Sequence, residues 1–295
     1  MSIKLGPAIK SVVCAFLLHL FSTSAWSQQA DVKKQYQQMI EAFRASFLIP
    51  ILYPGGQRVG AVFNTRTLQF IDDGSSCFPG LVAPSPTPSA LPSLKGALTG
   101  DLSLALGVNA AGVKLSGGLA RLTEIEFTDV IVQAVPETAL RKAYSSKNCP
   151  QLQQIIKSQT QPPDRIQQPL LIVGTLYTAR RRLIMRAAEK GEADATISFL
   201  KQALSWLPLS APSIGARVSA DKELVVSASS QDRMPVALRA AFIPELVSVS
   251  VLGPGAEEGK EEWAWVPFEP DVKPSQQRQF NTVVDDILKR LQTQP

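Results

Sequence analysis

Apolar positions along the chain fall into stretches of two different periods. Over 31–47, Tyr36, Met39, Ile40, Phe43 and Phe47 recur at spacings of three and four, which predicts an amphipathic helix with Asp31 in its first turn. Pro50 and Pro54-Gly55-Gly56 end that element. Two short β-rich runs follow, Arg58 to Asn64 and Thr67 to Ile71, and Asp72-Asp73-Gly74-Ser75-Ser76 closes them. In the Pro/Ser-rich stretch 83–93, Pro84, Pro86, Pro88 and Pro92 exclude a regular helix or a central strand and predict an extended surface loop or linker.

Residues 96–135 carry the strongest two-residue alternation. Leu102, Leu104, Leu106 and Val108 alternate with Ser103, Ala105, Gly107 and Asn109; after a turn at Gly112, Val113 and Leu115 resume the pattern. With the run from Leu119 to Val135 this predicts an antiparallel meander. Helical pieces are expected over 136–158, stopped by Pro162-Pro163. Residues 169–189 fit both periods. A helix leaves Arg180 on its apolar stripe, whereas Leu170 to Thr178 suits a strand buried on both faces, and strand is preferred at the start. A helix is expected over 193–206. Strands are then expected at Ile214 to Ala220, Leu224 to Ala228, Val236 to Ile243, Leu246 to Leu252 and Trp263 to Phe268, with a polar, acidic loop from Gly253 to Glu262. Phe280, Val283, Val284, Ile287, Leu288 and Leu291 form a final helical stripe after Pro274. The predicted fold class is α+β: an antiparallel β body with an N-terminal helix, helical insertions and a docked C-terminal amphipathic helix.

The first 27 residues differ from the rest. Lys4 and Lys10 precede an apolar run from Val12 to Leu18, and Ala25-Trp26-Ser27 puts small residues at the −3 and −1 positions of a cut before Gln28. The run is well short of the roughly 20 residues that span a bilayer. Residues 1–27 are therefore expected to be a signal peptide, and 28–295 a single globular domain of a secreted or periplasmic protein. Of 295 residues, 268 then remain, and the two lysines that leave reduce 30 basic residues to 28 against 25 acidic, an excess of +3. So weak an excess argues against a nucleic-acid partner.

The chain's one His, His19, leaves with the signal, as do Cys14 and Trp26. A mature chain without histidine has no Ser-His-Asp triad, no Cys-His pair and no His-ligated zinc or haem. Carboxylate chemistry, Ser-Lys chemistry, oxygen-ligated metals and binding without catalysis remain. Cys77 and Cys149 are an even pair in an exported chain, and a disulfide is the first reading. Closing a loop of about 70 residues contributes roughly 4–5 kcal/mol on the chain-entropy account.

The candidate chemistry is sparse. Asp72-Asp73 beside Ser75-Ser76 has the oxygen donors a hard cation wants, but the spacing reads first as an Asp-Gly turn. Glu124 and Glu126 share one face of a strand, where paired carboxylates can hydrolyse glycosides and, more commonly, simply face water. Glu257, Glu258, Glu261 and Glu262 read as a solvated loop. Ser198 and Lys201 have the Ser-x-x-Lys spacing and nothing else of that site. Arg180, Arg181, Arg182 and Arg186 form the densest charge cluster, a candidate anion or partner patch set against a salt-bridged face. No glycine-rich phosphate loop, metal set or catalytic motif is present, and no cofactor is expected.

The expectation is an exported, non-enzymatic binding or structural protein of the cell envelope or exterior, partnered by a membrane surface or an envelope protein. Two alternatives stand beside it. One is a membrane-perturbing or pore-forming protein using a β-hairpin at 96–118, and the other is a hydrolase working with carboxylates alone.

Overall fold

The computed structural model describes residues 33–51, 57–65, 68–96, 98, 102–106, 115, 118–144, 170–205, 213–219, 224–248 and 261–293. Helix α1 spans 33–43 and passes into a 3-10 turn, Arg44–Ser46, which Phe47 leaves in the left-handed region at φ 53°. Short strands follow: β1 (Ile49–Pro50), β2 (Val62–Asn64), β3 (Gln69–Asp72), β4 (Thr87–Pro88) and β5 (Leu94–Lys95). After α2 (Leu102–Leu106) come β6 (Arg121–Ala134), α3 (Glu137–Ala143), β7 (Leu170–Ala187) and α4 (Lys190–Leu204). The chain ends with β8 (Ser213–Val218), β9 (Leu224–Ser229), β10 (Met234–Ser248), β11 (Glu261–Pro267) and α5 (Pro274–Thr293). The fold is mixed α+β with a β-rich body, an 11-stranded sheet whose pairings are all antiparallel. Among the described residues no helix is long and apolar enough to cross a membrane.

The 18 residues of β7 organise this sheet. On one edge β6 pairs with Thr175 to Arg186, and β2 continues along Leu170 to Ile172. On the other edge β9 pairs with Arg182 to Ala187, and β10 continues along Ile172 to Ala179. Each edge thus holds two partners end to end. Gly174 makes the approach to β10 possible: a Cβ there would lie 2.4 Å from Ala241 Cβ, so any side chain would displace one strand.

Two apolar clusters lie along this strand. The first gathers Leu170, Ile172, Val173 and Leu176 with Val62, Phe63, Phe78, Leu140, Leu238, Phe242, Phe280, Val284 and Ile287. The second gathers Ala179, Leu183 and Met185 with Leu102, Ala105, Leu106, Ile125, Leu200, Leu204 and Val226. Helix α1 serves both, with Tyr36 and Ile40 in the first and Met39 and Phe43 in the second. The Tyr36 hydroxyl donates to the Pro50 carbonyl at 3.0 Å, and burial pushes its pKa up. The middle of α5 lies against the 3-10 turn that follows α1. Phe47 and Phe280 stack edge to face at 5.5 Å, and Arg44 bonds Asn281 and Asp285 at 2.9 Å each.

Several expectations need correction. The alternating stretch over 96–118 is not a hairpin at its first strand, because Leu102–Leu106 is helical. The reason is legible afterwards: Leu102, Ala105 and Leu106 are all fully buried, and their spacing is i, i+3, i+4. Ala105 supplies an apolar position that period-two reading assigns to the wet face. Residues 107–114 and 116–117 lie outside the described residues. The ambiguous 169–189 stretch is strand over Leu170–Ala187, not only at its start.

The two strands expected at 236–243 and 246–252 are one, through Pro244, up to Ser248. Pairing of β10 with β7 ends at Phe242, so beyond it one edge has no β7 amide ladder to lose. The Pro/Ser stretch is extended as expected, but it is no free loop. Thr87 and Pro88 pair with Val132 and Ile131, Leu94 and Lys95 pair with Ile125 and Glu124, and together they cover the edge of β6. The expected signal peptide over 1–27, Cys149, the second of the helical pieces expected within 136–158, and the expected acidic loop up to Lys260 lie outside the described residues.

Candidate anion-binding face

Alternation along β7 decides where the arginine cluster points. Ala179, Leu183, Met185 and Ala187 face the second core, and Arg181, in phase with them, is only 1% exposed. Its Nη2 donates to the Ile51 carbonyl at 3.1 Å, and burial pushes its pKa down to about 10, so it is still charged at neutral pH. Arg180, Arg182 and Arg186 have the opposite phase and face outward. The expected four-arginine patch is therefore divided by the sheet, three side chains on one face and one in the core.

Strand register brings other cations to the outward face. Arg121 pairs with Arg186, Arg186 pairs with Val225, and Val225 pairs with Arg217. Directly opposed residues of an antiparallel sheet share a face, so Arg121, Arg186 and Arg217 stand in one row across β6, β7, β9 and β8. All three are exposed. Lys95 stands on the same face, 3.8 Å from Glu124. Among the described residues Lys95, Arg121, Arg180, Arg182, Arg186 and Arg217 are six cations on this face, and Glu124, Glu126 and Asp129 are three carboxylates beside them. Arg180 pairs with Asp129 at 2.7 Å and Arg182 with Glu126 at 3.4 Å, so that part of the face is the salt-bridged surface the sequence allowed. Asp129 reaches Arg180 from a bulge in β6, where its own φ is +50°.

Lys95, Arg121 and Arg186 border a groove of about 400 Å³ that Leu122, Thr123 and Glu124 also line. Glu124 accepts from the Ser93 hydroxyl at 2.7 Å as well as facing Lys95. Helix α4 does not cover this face, since its buried Ala193, Leu200 and Leu204 belong to the core on the other side. Sequence reasoning found Arg186 and missed Lys95, Arg121 and Arg217. Their association depends on which residues pair across strands that lie up to about 120 positions apart, and no local spacing encodes that.

The other candidates resolve into structural roles. Glu124 and Glu126 do share a face, as expected, and both are committed to the partners named above. Asp72 Oδ1 accepts the Gly74 amide at 2.6 Å, and Asp73 Oδ1 accepts the Ser75 amide at 2.8 Å and its hydroxyl at 2.6 Å, with an ion pair to Arg58. This is the Asp-Gly turn. The Ser75 bonds hold the Asp73 pKa down to about 2. Gly74 is required there by its φ of +89° and by the Gly60 backbone, 2.6 Å from where a Cβ would sit. Among the described residues no group of three or more His, Cys, Asp or Glu could hold a metal ion. Ser198 and Lys201 lie exposed on α4. Cys77 is buried in the first core. A smaller cleft of about 170 Å³ lies beside it between Phe78, Tyr144 and Phe242, with the Arg141 guanidinium 4.8 Å from the Phe242 ring centre.

No protein-family model matches this sequence, and no curated protein matches it either. The outward face of β5 to β9 is therefore characterised by its own chemistry, as a cation-rich sheet surface bordering an open groove.

Proposed function

We propose that this is an exported, non-enzymatic binding protein that takes an anionic partner on the outward face of β5, β6, β7, β9 and β8. The observation that carries the reading is the charge of that face, six cations against three carboxylates among the described residues, on a surface that the described helices leave open. Such an excess concentrates anions at the surface and speeds their encounter. The weak net charge of the mature chain makes the local excess more telling, because it is a property of this face and not of the whole surface.

The finer architecture belongs to the same reading. Residues 28–295 act as one unit, α5 is a structural helix and not a free partner helix, and Cys77 is bridged to Cys149. Supporting this, Phe280, Val284 and Ile287 of α5 are buried with the first core, and Cys77 is buried there too. The hairpin-based pore reading loses its motivating strand at Leu102–Leu106, and Glu124 and Glu126 already serve ion pairs.

The test uses mature protein and dextran sulfate as a generic polyanion. Binding should appear at low salt and weaken steadily as sodium chloride rises through the range in which the screening length falls below about 10 Å. Glu126→Gln with Asp129→Asn should tighten it. No binding at low salt would sink the reading.

A further inference from the structure

We propose that the cleft between α3, β7 and β10 binds a small aromatic carboxylate, a single ring bearing one carboxylate group. The site does not depend on the polyanion reading, since Ile172 in its wall lies at the opposite end of β7 from Arg186. Strand register builds one side of the cleft: Ile172 and Phe242 are direct partners across β7 and β10, so both side chains stand on one face. Leu140 and Tyr144, one turn apart, come from α3 and its C-terminal cap. Phe78 follows the Asp-Gly turn, where its amide donates to the Gly74 carbonyl at 2.9 Å, and its ring lies 5.8 Å from the Tyr144 ring. Phe78, Leu140, Ile172 and Phe242 all belong to the buried first core. The core packing therefore sets the shape of the cleft, and three of its lining side chains are aromatic.

Size and charge select the ligand. At about 170 Å³ the cleft is close to the roughly 150 Å³ of an apolar cavity that admits benzene, whereas drug-sized ligands occupy roughly 300–1,000 Å³. One ring fits and an extended or fused ring system does not. The charged group at the cleft is the Arg141 guanidinium, 4.8 Å from the Phe242 ring centre. Arg141 is already paired: its Nε donates to Glu137 Oε1 at 2.6 Å. That bond and the Phe242 ring fix the guanidinium, and its outer edge, Nη1 with Nη2, makes no bond among the described residues. A carboxylate accepts from that edge through two parallel bonds. An aromatic carboxylate carries its apolar ring and its charge at opposite ends of one planar body, which matches apolar walls with a single cation beside them. Glu137 reduces the positive charge there and so opposes the anion, while its contact with Nε leaves the outer edge to the ligand.

The test is calorimetry of mature protein with benzoate, with benzamide as the uncharged ring of the same shape, and with acetate as the carboxylate without a ring. Benzoate should bind at least about tenfold more tightly than either. Arg141→Met keeps a long apolar stem over Phe242 and removes the charge, so benzoate should fall to the level of benzamide. Arg141 is exposed, so this variant should fold, and its melting curve checks that. Glu137→Gln keeps an acceptor for Nε and removes the opposing charge, so benzoate should bind more tightly and benzamide as before. Arg58→Gln should match the parent. Benzoate binding should also persist in saturating dextran sulfate. The site is overturned if benzoate binds no better than benzamide or acetate, if Arg141→Met binds benzoate as the parent does, or if dextran sulfate displaces benzoate, which would put the anion on the outward face. A protein that binds benzoate and not the polymer keeps the cleft and loses the polyanion face; the reverse keeps the face and loses the cleft.

Discussion

Arg180 and Arg181 are neighbours in sequence with opposite environments. Arg180 is half-exposed and paired with Asp129, so Arg180→Ala should change stability by no more than about 1 kcal/mol. Arg181 fills core volume and satisfies the Ile51 carbonyl, so Arg181→Ala should cost roughly 2–5 kcal/mol in denaturant unfolding. Equal effects of the two substitutions would contradict an outward Arg180 and an inward Arg181. Asp73 offers a pH test. Its folded pKa of about 2 is below the ordinary 3.8, so the stability it contributes is fully present above about pH 4 and is lost as pH falls through 2. The Ser75 hydroxyl is the first cause, so Ser75→Ala should move the Asp73 titration, followed by NMR, back toward 3.8. The buried arginine also shows a limit of local reading. A run of three arginines looks like a surface feature until the strand fixes that the middle one points inward.

At the scale of elements, α5 is the clearest case of agreement between pattern and packing. Phe280, Val284 and Ile287 are buried, Val283 and Leu288 pack partly against the same cluster, and each fully buried side chain is worth roughly 1.5–3 kcal/mol. Ile287→Asp should therefore cost at least about 3 kcal/mol, whereas exposed Gln277→Asp should be close to neutral. Truncation before Pro274 that left the melting temperature within a degree or two would show that the helix is not needed by the body. Helices α1 and α4, strand β9 and the C-terminal helix were all legible because each keeps one period over its length. The exceptions have particular causes. Leu102–Leu106 satisfies two periods at once, and five residues are too few for the pattern to choose. Residues 170–187 are buried on both faces at their start, which erases the alternation that marks a strand. Pro244 reads as a breaker, yet it falls where the β7 edge has already ended.

Across the whole molecule, the export reading and the bridge are checked together by mass. Protein recovered from an exporting host should begin at Gln28, and non-reducing peptide mapping should link Cys77 to Cys149. A full-length chain, or two cysteines that alkylate freely when the protein is denatured without reductant, would contradict them. The candidate face was the least legible feature, because Lys95, Arg121, Arg186 and Arg217 come from four strands and meet only through register. Arginine footprinting tests it most directly. Mature protein is treated with phenylglyoxal with and without dextran sulfate, and modification is read residue by residue by mass spectrometry. Arg121, Arg186 and Arg217 should be protected by the polymer, while Arg58 and Arg141, on other parts of the surface, should react as before. Equal protection of all five, or protection of Arg58 and Arg141 alone, would contradict a binding face on β6 to β9.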